Sequence, residues 1–409
     1  MIHRSTNRVR QVAPLLAAGL VLTGFSGCGS DEPVPAPGGP TGATAVADGC
    51  ELPTGPLAVA YGARANTPDP RLPEAVSDLI DRSLDGGHPV SAIRLDGTPE
   101  KAFSATFKST AGNGDGRDVQ LKRFRQSVDA EFANVRAEQQ EADVLAALSL
   151  AARSVPEDGG TVVLADSGLQ TTAPLDFRDG ALLAAEPTEV TTFLKKHRLL
   201  PELNGRVVVL VGIGDTVAPQ PTFDQRTHNN LIAIWKAVAT EAGARCVAVF
   251  DGPGANRPRS GQLPAVTPVS PPPEPTPVTC GQTVLPNSGK VGFLPDRAVF
   301  VDPAAARSAL AELAPTMTAG NQRIDLIGTT ATDGTREGRR RLSLERAEAV
   351  KKILVELGVP AVRITTKGVG TEWDGHVPDL DRNGVLIPGP AAKNRSVVVR
   401  LYCPSGTTR

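Results

Sequence analysis

A proline-rich segment limits most strongly what this chain of 409 residues can fold into. It runs from Gly252 to Pro277 and carries Pro253, Pro258, Pro264, Pro268, Pro271, Pro272, Pro273, Pro275 and Pro277. Proline interrupts helices and is excluded from central strands, and the segment has no apolar periodicity. We therefore predict an extended, semi-rigid linker over residues 253–278. It divides the chain into a folded domain at 50–252, a second domain at 279–404 and a short tail at 405–409.

The N-terminus predicts export. Basic residues in the first ten positions precede an apolar run from Val12 to Leu22, which is too short to span a membrane and is typical of a signal peptide. Ser26 and Gly27 directly before Cys28 resemble a bacterial lipobox. The resemblance implies a lipoprotein signal peptide at 1–27 that is cleaved so that Cys28 carries a lipid. The alternative is an ordinary signal peptide with a cysteine near its cleavage site.

We predict a flexible tether at residues 28–49, because they are polar, rich in proline and without hydrophobic periodicity. No later segment is apolar over the roughly 20 residues that a spanning helix needs. We therefore expect the mature protein at the extracytoplasmic face of a bacterial envelope membrane, held there by its lipid.

The charge balance excludes one class of function. With 43 Lys and Arg against 44 Asp and Glu, the formal net charge is −1. A nucleic-acid-binding protein needs a basic excess to neutralise phosphates, so no nucleic-acid partner is expected. Hydrophobic residues make up 40% of the chain and aromatic residues only 4%, so the cores must be built mainly from aliphatic side chains.

Four further cysteines lie at the borders of the two domains. Because disulfides persist in exported proteins, we predict the pairs Cys50–Cys246 and Cys280–Cys403, one within each domain. The alternatives are free thiols or a different pairing. No two of these cysteines are close in sequence, which argues against a zinc site.

Apolar, β-branched runs typical of buried parallel strands alternate with helical patterns in the first domain. The predicted strands are 57–61, 90–95, 102–108, 161–164, 207–211 and 247–250. The predicted helices are 73–84, a long one from Asp118 that resumes before 142–148 after a break, 189–199 and 229–242. This alternation predicts an α/β three-layer sandwich with right-handed crossovers.

The order of these elements, with VVLADSG in the middle, resembles the von Willebrand A-type fold, a vWA/Rossmann-like architecture. That family's metal site uses an Asp-x-Ser-x-Ser run after the first strand, where this chain has Tyr61, Ala63 and Ala65. Asp166 could be a remnant of a second ligand loop, but one carboxylate cannot hold Mg²⁺. We expect a metal-free relative, or another α/β fold, that binds an unknown protein partner at the carboxyl ends of its strands.

No set of residues in the first domain predicts catalysis or a cofactor. Gly212-Ile-Gly214 lacks the third glycine of a nucleotide loop, and Ser167 lacks the flanking glycine of a nucleophile elbow. The histidines at 88, 197 and 228 are scattered. We therefore predict a binding protein that is not an enzyme.

The second domain predicts an α+β sandwich with its helices on one face. The predicted helices are 304–313 and 336–357, and the predicted strands are 323–327, 363–366 and 396–401, with an early strand near 290–294. Arg346 lies on the apolar stripe of the long helix. Its guanidinium must therefore be satisfied by an anion or by backbone carbonyls.

Several of these residues stand in the order and spacing of a known family. From about 285 to 402 the chain resembles the OmpA-like, peptidoglycan-associating domains. The resemblance rests on Gly328, Gly334, Leu342, Ser343, Arg346, Ala347, Val350, Leu354, Gly358, Val359, Arg363, Gly368, Gly370, Asn394 and Arg395. It implies that the domain binds the diaminopimelate of a peptidoglycan stem peptide through an aspartate and an arginine.

The arginine of that pair falls on Arg346, but the aspartate position is Ala331. Diaminopimelate is zwitterionic and needs a carboxylate for its ammonium as well as a guanidinium for its carboxylate. Either Thr332-Asp333 is the family's Thr-Asp pair displaced by two residues, or the pocket has lost its acid. Asn394 and Arg395 either cap a strand edge or lie beside the ligand.

One acidic loop has an alternative interpretation as a cation site. Asp379, Asp381, Asn383 and Gly384 are spaced as in a calcium loop, but Pro390 stands where the final bidentate acid belongs. An acidic turn is the preferred interpretation, and no metal is expected.

Together these patterns predict a lipid-anchored envelope protein whose second domain associates non-covalently with peptidoglycan and whose first domain binds an unknown partner. The alternative is an envelope scaffold in which both domains contact proteins and the degenerate pocket does not bind peptidoglycan.

Overall fold

Two large sheets organise the chain in the computed structural model, which describes residues 46–47, 49–68, 71–252, 261–271, 273–319 and 321–402. The predicted signal peptide, Cys28 and Cys403 lie outside these residues. Within the described ranges, no helix combines the length and the apolarity needed to cross a membrane.

The first large sheet is mostly parallel. A short antiparallel pair, β1 (Val46–Ala47) and β2 (Cys50–Glu51), precedes it, and β1 falls within the predicted tether. The sheet consists of β3 (Leu57–Tyr61), β4 (Val90–Arg94), β5 (Glu100–Ala105), β6 (Thr161–Ala165), β7 (Val207–Val211) and β8 (Cys246–Phe250). Their order is β5-β4-β3-β6-β7-β8, and only β5 runs antiparallel to its neighbour. The predicted α/β class is confirmed.

Helices cover both faces of this sheet. They are α1 (Glu74–Asp85), α2 (Gly114–Asn134), α3 (Val144–Arg153), a 3₁₀ helix (Gly180–Ala184), α4 (Pro187–His197) and α5 (Gln225–Glu241). Side chains of α1 and α2 pack with Leu57, Val59 and Tyr61, while those of α3, α4 and α5 pack with Ala58 and Ala60. Alternate residues of β3 therefore face opposite cores, as the period of a strand requires. We call this sheet with its helices the N-terminal lobe.

Helix α2 begins earlier than predicted. The side chain of Asn113 accepts a hydrogen bond from the backbone N–H of Gly116 at 2.8 Å and caps the helix there, whereas Asp118 lies in its second turn. Only Val128 and Phe132 of this helix are buried. The apolar stripe therefore did not indicate the residue at which the helix begins.

The second large sheet has four strands. The elements are β9 (Gly281–Pro286), α6 (Pro303–Thr318), β10 (Arg323–Thr329), α7 (Arg336–Glu356), a 3₁₀ turn (Ala361–Arg363), β11 (Ile364–Gly370), α8 (Pro388–Asn394) and β12 (Ser396–Tyr402). The strand order is β11-β10-β12-β9, in which only β10 and β11 are parallel. Helices α6 and α7 pack on the apolar face of the sheet, which confirms the predicted α+β class. We call this part the C-terminal lobe.

The early strand of this lobe was predicted in the wrong place. It is β9, which pairs with β12 from Gly281 to Pro286 and buries Thr283 and Leu285. The apolar run 290–294 instead lies in a turn, where Phe293 forms an isolated bridge with Phe300 and stacks on its ring. Apolar content alone did not distinguish a strand from a folded loop.

One predicted disulfide is confirmed. Cys50 and Cys246 are bonded and join β2 to the start of β8. Cys280 is also disulfide-bonded, and its predicted partner Cys403 lies outside the described residues.

Part of the predicted linker packs against the N-terminal lobe. Val266 and Val269 are buried, and Val269 belongs to the core of α3, α4 and α5. The backbone N–H of Val269 donates to the Gln220 side chain at 2.8 Å, and the Thr267 hydroxyl donates to Glu141 at 2.7 Å. The linker is therefore attached along its middle, while residues 253–260 and 272 lie outside the described part of the chain.

Candidate ligand site on the C-terminal lobe

Two glycines determine how helix α7 lies on the sheet. A Cβ atom at Gly328 would be 1.7 Å from the carbonyl oxygen of Ser343, and one at Gly368 would be 2.1 Å from that of Arg340. Only glycine permits so close an approach between strand and helix. The contact holds α7 against β10 and β11, and this register places Arg346 inside the lobe.

Arg346 is a buried cation satisfied by backbone oxygens. Its side chain is 4% exposed, Nε donates to the Arg297 carbonyl at 3.1 Å and Nη2 donates to the Leu294 carbonyl at 3.3 Å. The guanidinium carbon lies 5.4 Å from the centre of the Phe293 ring. Burial lowers the pKa of Arg346 to about 10, and the nearby charge of Arg395 adds to this effect. The group therefore remains cationic at neutral pH, and its Nη1 donates to no described residue.

Asn394 has a structural role in the fold. It is fully buried at the end of α8, where Oδ1 accepts from the Val377 N–H at 2.9 Å and Nδ2 donates to the Val377 carbonyl at 2.7 Å. Nδ2 also donates to the carboxylate of Asp379 at 2.8 Å. The amide thus joins the 377–379 segment to the start of β12, which favours the cap interpretation for this residue.

The loop that carries Thr332 and Asp333 does not reach Arg346 through any described contact. Asp333 is exposed, and its Oδ1 accepts from the Gly334 N–H at 2.8 Å. The N–H of Thr332 donates to Asp379 Oδ2 at 2.9 Å, and Ala331 is buried beside it. The charge of Arg395 therefore acts on Arg346, whereas no described contact joins Asp333 to either arginine.

The carboxylates of Asp379 and Asp381 accept hydrogen bonds from other residues of the protein. Asp379 is 1% exposed and accepts from Thr332 and Asn394, while Asp381 Oδ1 accepts from the N–H groups of Asn383 and Val385. Within the described residues, no group of three or more His, Cys, Asp or Glu could hold a metal ion. Asp379 is thus a buried acid that binds Thr332 and Asn394. Its place in the acidic loop of the sequence did not indicate this role.

Two carboxylates reach this site from the other lobe. Glu189, in the first turn of α4, forms an ion pair with Arg395, and the two side chains are 14% and 11% exposed. Glu186 lies just before the helix, where the charges of Arg395, Arg346 and Arg226 act on it. Burial raises the pKa of both carboxyl groups, and the arginines oppose this rise. No local sequence signal pointed to either residue.

The carboxyl ends of the N-terminal strands hold a second buried ion pair. Arg64 is fully buried, and its Nη2 donates to both carboxylate oxygens of Asp166, at 2.8 and 2.6 Å. Burial raises the pKa of Asp166, whereas the charge of Arg64 lowers it. A Cβ at Gly62 would lie 1.8 Å from this carboxylate, so the loop closes tightly over it. Both oxygens of Asp166, the possible remnant of a metal-ligand loop, therefore accept hydrogen bonds from a guanidinium.

Comparison with known proteins identifies the class of the C-terminal lobe. Residues 293–375 match the OmpA family, and this part of the chain is an OmpA-family domain. No protein of curated function matches the sequence.

Several solved structures resemble part of the chain. The OmpA-like domain of FopA1 from Francisella tularensis subsp. tularensis SCHU S4 is 19% identical, with 29% of this chain and 73% of that one covered and a TM-score of 0.23. The peptidoglycan-associated lipoprotein from Burkholderia pseudomallei is 23% identical, with 29% and 87% covered and a TM-score of 0.22. The cell wall anchor of the T6SS from Pseudomonas aeruginosa is 17% identical, with 30% and 81% covered and a TM-score of 0.24.

Removal of one partner of the Arg64–Asp166 pair is expected to destabilise the N-terminal lobe. In Arg64→Met the Asp166 carboxylate stays buried without a counter-charge, which should lower the free energy of unfolding by about 3–5 kcal/mol. The double variant Arg64→Met/Asp166→Asn should recover part of this loss. Urea unfolding of the three proteins measures both effects. A loss below about 1 kcal/mol in the single variant would show that the pair is not what satisfies Asp166.

Proposed function

We propose that this protein is a lipid-anchored component of the bacterial cell envelope whose OmpA-family domain associates non-covalently with peptidoglycan. Binding alone accounts for the candidate site, and no covalent step is required. The observation that carries the proposal is the position of Arg346, a buried and charged guanidinium inside a domain of a family commonly associated with peptidoglycan.

The chemistry of Arg346 suits a carboxylate ligand. Two of its nitrogens donate to backbone carbonyls, so the side chain is held in one orientation before any ligand arrives. A guanidinium fixed in this way recognises a carboxylate by directional, charge-assisted hydrogen bonds. Diaminopimelate offers such a carboxylate on the end of its side chain, next to an ammonium group.

The candidate acid for the ammonium of the ligand is Asp333. Asp333 is exposed, and its charge adds to the effect of burial in raising the pKa of Glu189. We propose that Asp333, with Thr332 beside it, takes the part of the missing aspartate at Ala331. Arg395 would contribute a second guanidinium once it is released from Glu189.

For the N-terminal lobe we propose the role of a metal-free, vWA-like binding domain. Its strand order, with β3 and β6 at the centre and an antiparallel edge strand beyond β4, supports this assignment. The residues Tyr61, Ala63 and Ala65, which stand where that family has its metal ligands, are the reason for proposing a domain without metal. The partner would be a protein that contacts the loops after β3, β6 and β7, since ligands bind at the carboxyl ends of parallel strands.

A second candidate function is supported by the Glu189–Arg395 pair. If the lobes never separate, Arg395 is already neutralised and the pocket without its aspartate cannot accept a zwitterion. The protein would then act as an envelope scaffold whose two lobes form one protein-binding unit. Wall binding by the whole chain distinguishes the two functions.

Substitution of Arg346 is expected to weaken binding to peptidoglycan. In the full mature chain, Arg346→Ala should raise the dissociation constant for diaminopimelate-type peptidoglycan by at least about tenfold, because a charged partner of the ligand is lost. The matched control is Arg341→Ala on the same helix, whose side chain is 73% exposed. Sedimentation with purified peptidoglycan measures the bound fraction, and circular dichroism checks that each variant is folded. Equal pelleting of Arg346→Ala and Arg341→Ala, or none by the wild type, would contradict the proposal.

The proposed anchor gives a separate prediction. Cys28→Ser should move the protein from the membrane fraction to the soluble exported fraction, because the lipid is attached through that thiol. The intact mass of the wild type should exceed that of the chain that begins at residue 28 by the mass of its acyl groups. Unchanged fractionation and an unmodified mass would argue for an ordinary signal peptide.

A further inference from the structure

The two arginines of the candidate site form one cationic surface. Arg346 and Arg395 are both buried, and the charge of Arg395 acts on Arg346. We call this pair the arginine face. Two like charges that are removed from water need an anion between or beside them. The C-terminal lobe supplies Asp296 at this point, whose charge acts on Arg346.

The N-terminal lobe supplies the remaining anions. Glu186 and Glu189 stand at the beginning of α4, and we call residues 186–189 the acidic turn. Glu189 pairs directly with Arg395, and the charge of Glu186 acts on both arginines. The acidic turn thus places carboxylates against the arginine face. A carboxylate ligand would bring the same chemical group.

Contacts around the acidic turn hold the two lobes together at this place. Arg226 of α5 donates from Nη2 to the Asn287 carbonyl at 2.6 Å and from Nη1 to the Gly289 carbonyl. Lys393 Nζ lies 2.9 Å from Asp179, at the border of the 3₁₀ helix. These contacts come from different elements of the N-terminal lobe, so the arginine face is enclosed from more than one side.

His197 makes a further contact between the lobes. Its Nε2 lies 2.7 Å from a carboxylate oxygen of Asp381 in the C-terminal lobe. His197 is the last residue of α4, whereas the acidic turn lies at the other end of that helix. The whole length of α4 therefore spans the contact between the lobes.

We propose that the acidic turn is an internal plug that closes the arginine face against acidic ligands. The carboxylates of Glu186 and Glu189 occupy the site, and the lobes separate there before a diaminopimelate carboxylate binds. This inference rests on the proposed peptidoglycan binding, and it adds that the chain regulates that binding itself.

The contact has the properties of a reversible latch. It includes ion pairs and hydrogen bonds to carbonyls, beside the packing of α8 against the 3₁₀ helix, and the polar part of a contact between domains separates more easily than an apolar one. Burial raises the pKa of both glutamates despite the arginines, so the loss of hydration opposes much of the attraction between the charges. A ligand that binds only the open form can therefore shift the equilibrium.

If Glu186 instead binds the ligand, neutralising the acidic turn has the opposite effect on affinity. Glu186 could replace the aspartate missing at Ala331 and hold the ammonium of the ligand, in which case the closed lobes would form a composite pocket. Neutralising the acidic turn would then weaken binding. The plug predicts that the same change strengthens it.

The test uses the full mature chain with Glu186→Gln/Glu189→Gln, and Glu131→Gln on the exposed surface of α2 as the matched control. Hydrogen exchange reports whether the 287–297 segment and the acidic turn become less protected. Sedimentation with diaminopimelate-type peptidoglycan reports binding. The plug predicts faster exchange and a dissociation constant lower by about fivefold or more in the double variant, with no change in the control. Adding Arg346→Ala should abolish the gain.

A second variant opens the lobes without touching the acidic turn. Asp179→Lys places a like charge against Lys393, and it should also speed exchange at the acidic turn and strengthen pelleting. Unchanged exchange in both variants would overturn the plug, and faster exchange with weaker pelleting would overturn it in favour of a composite pocket. Faster exchange without pelleting by any variant would contradict the proposed function, while it would support the latch between the lobes.

Discussion

The fold removes several guanidinium groups from water, and each needs an anion or a set of carbonyl oxygens as a partner. The positions of these partners determine much of the arrangement of the molecule. Arg64 receives the Asp166 carboxylate, and this pair closes the carboxyl ends of the first sheet. Arg346 receives two carbonyls of the 294–297 turn, which fixes that turn against helix α7. Arg395 receives a carboxylate from the other lobe, that of Glu189. The cost of a buried charge thus determines both the local loops and the contact between the lobes.

The same requirement connects structure with function. An arginine that is satisfied only by carbonyls still attracts a carboxylate, whereas the charge of one that is paired with a glutamate is already compensated. Arg346 is of the first kind and Arg395 of the second. Under the proposed function, wall binding and closure of the lobes would compete for these two arginines.

Much of the fold could be predicted because it is encoded in local patterns. Buried β-branched runs gave the parallel strands, and the spacing of Gly328 and Arg346 indicated the OmpA-like domain. The early strand was misplaced because the apolar residues of 290–294 stabilise a turn instead of a sheet. The pairs Arg64–Asp166 and Glu189–Arg395 join residues 102 and 206 positions apart, and no local pattern marks such contacts. The part of the site that depends on them became visible only in the structure.

The central claim is that the C-terminal lobe recognises the carboxylate on the diaminopimelate side chain. Lysine-type stem peptides test it directly, because lysine carries the same ammonium group but lacks that carboxylate. Sedimentation of the full mature chain with diaminopimelate-type and lysine-type peptidoglycan compares the two ligands. The account predicts a dissociation constant at least about tenfold lower for the diaminopimelate type, as expected when a charged hydrogen-bond partner is present. Equal binding to both types would contradict it.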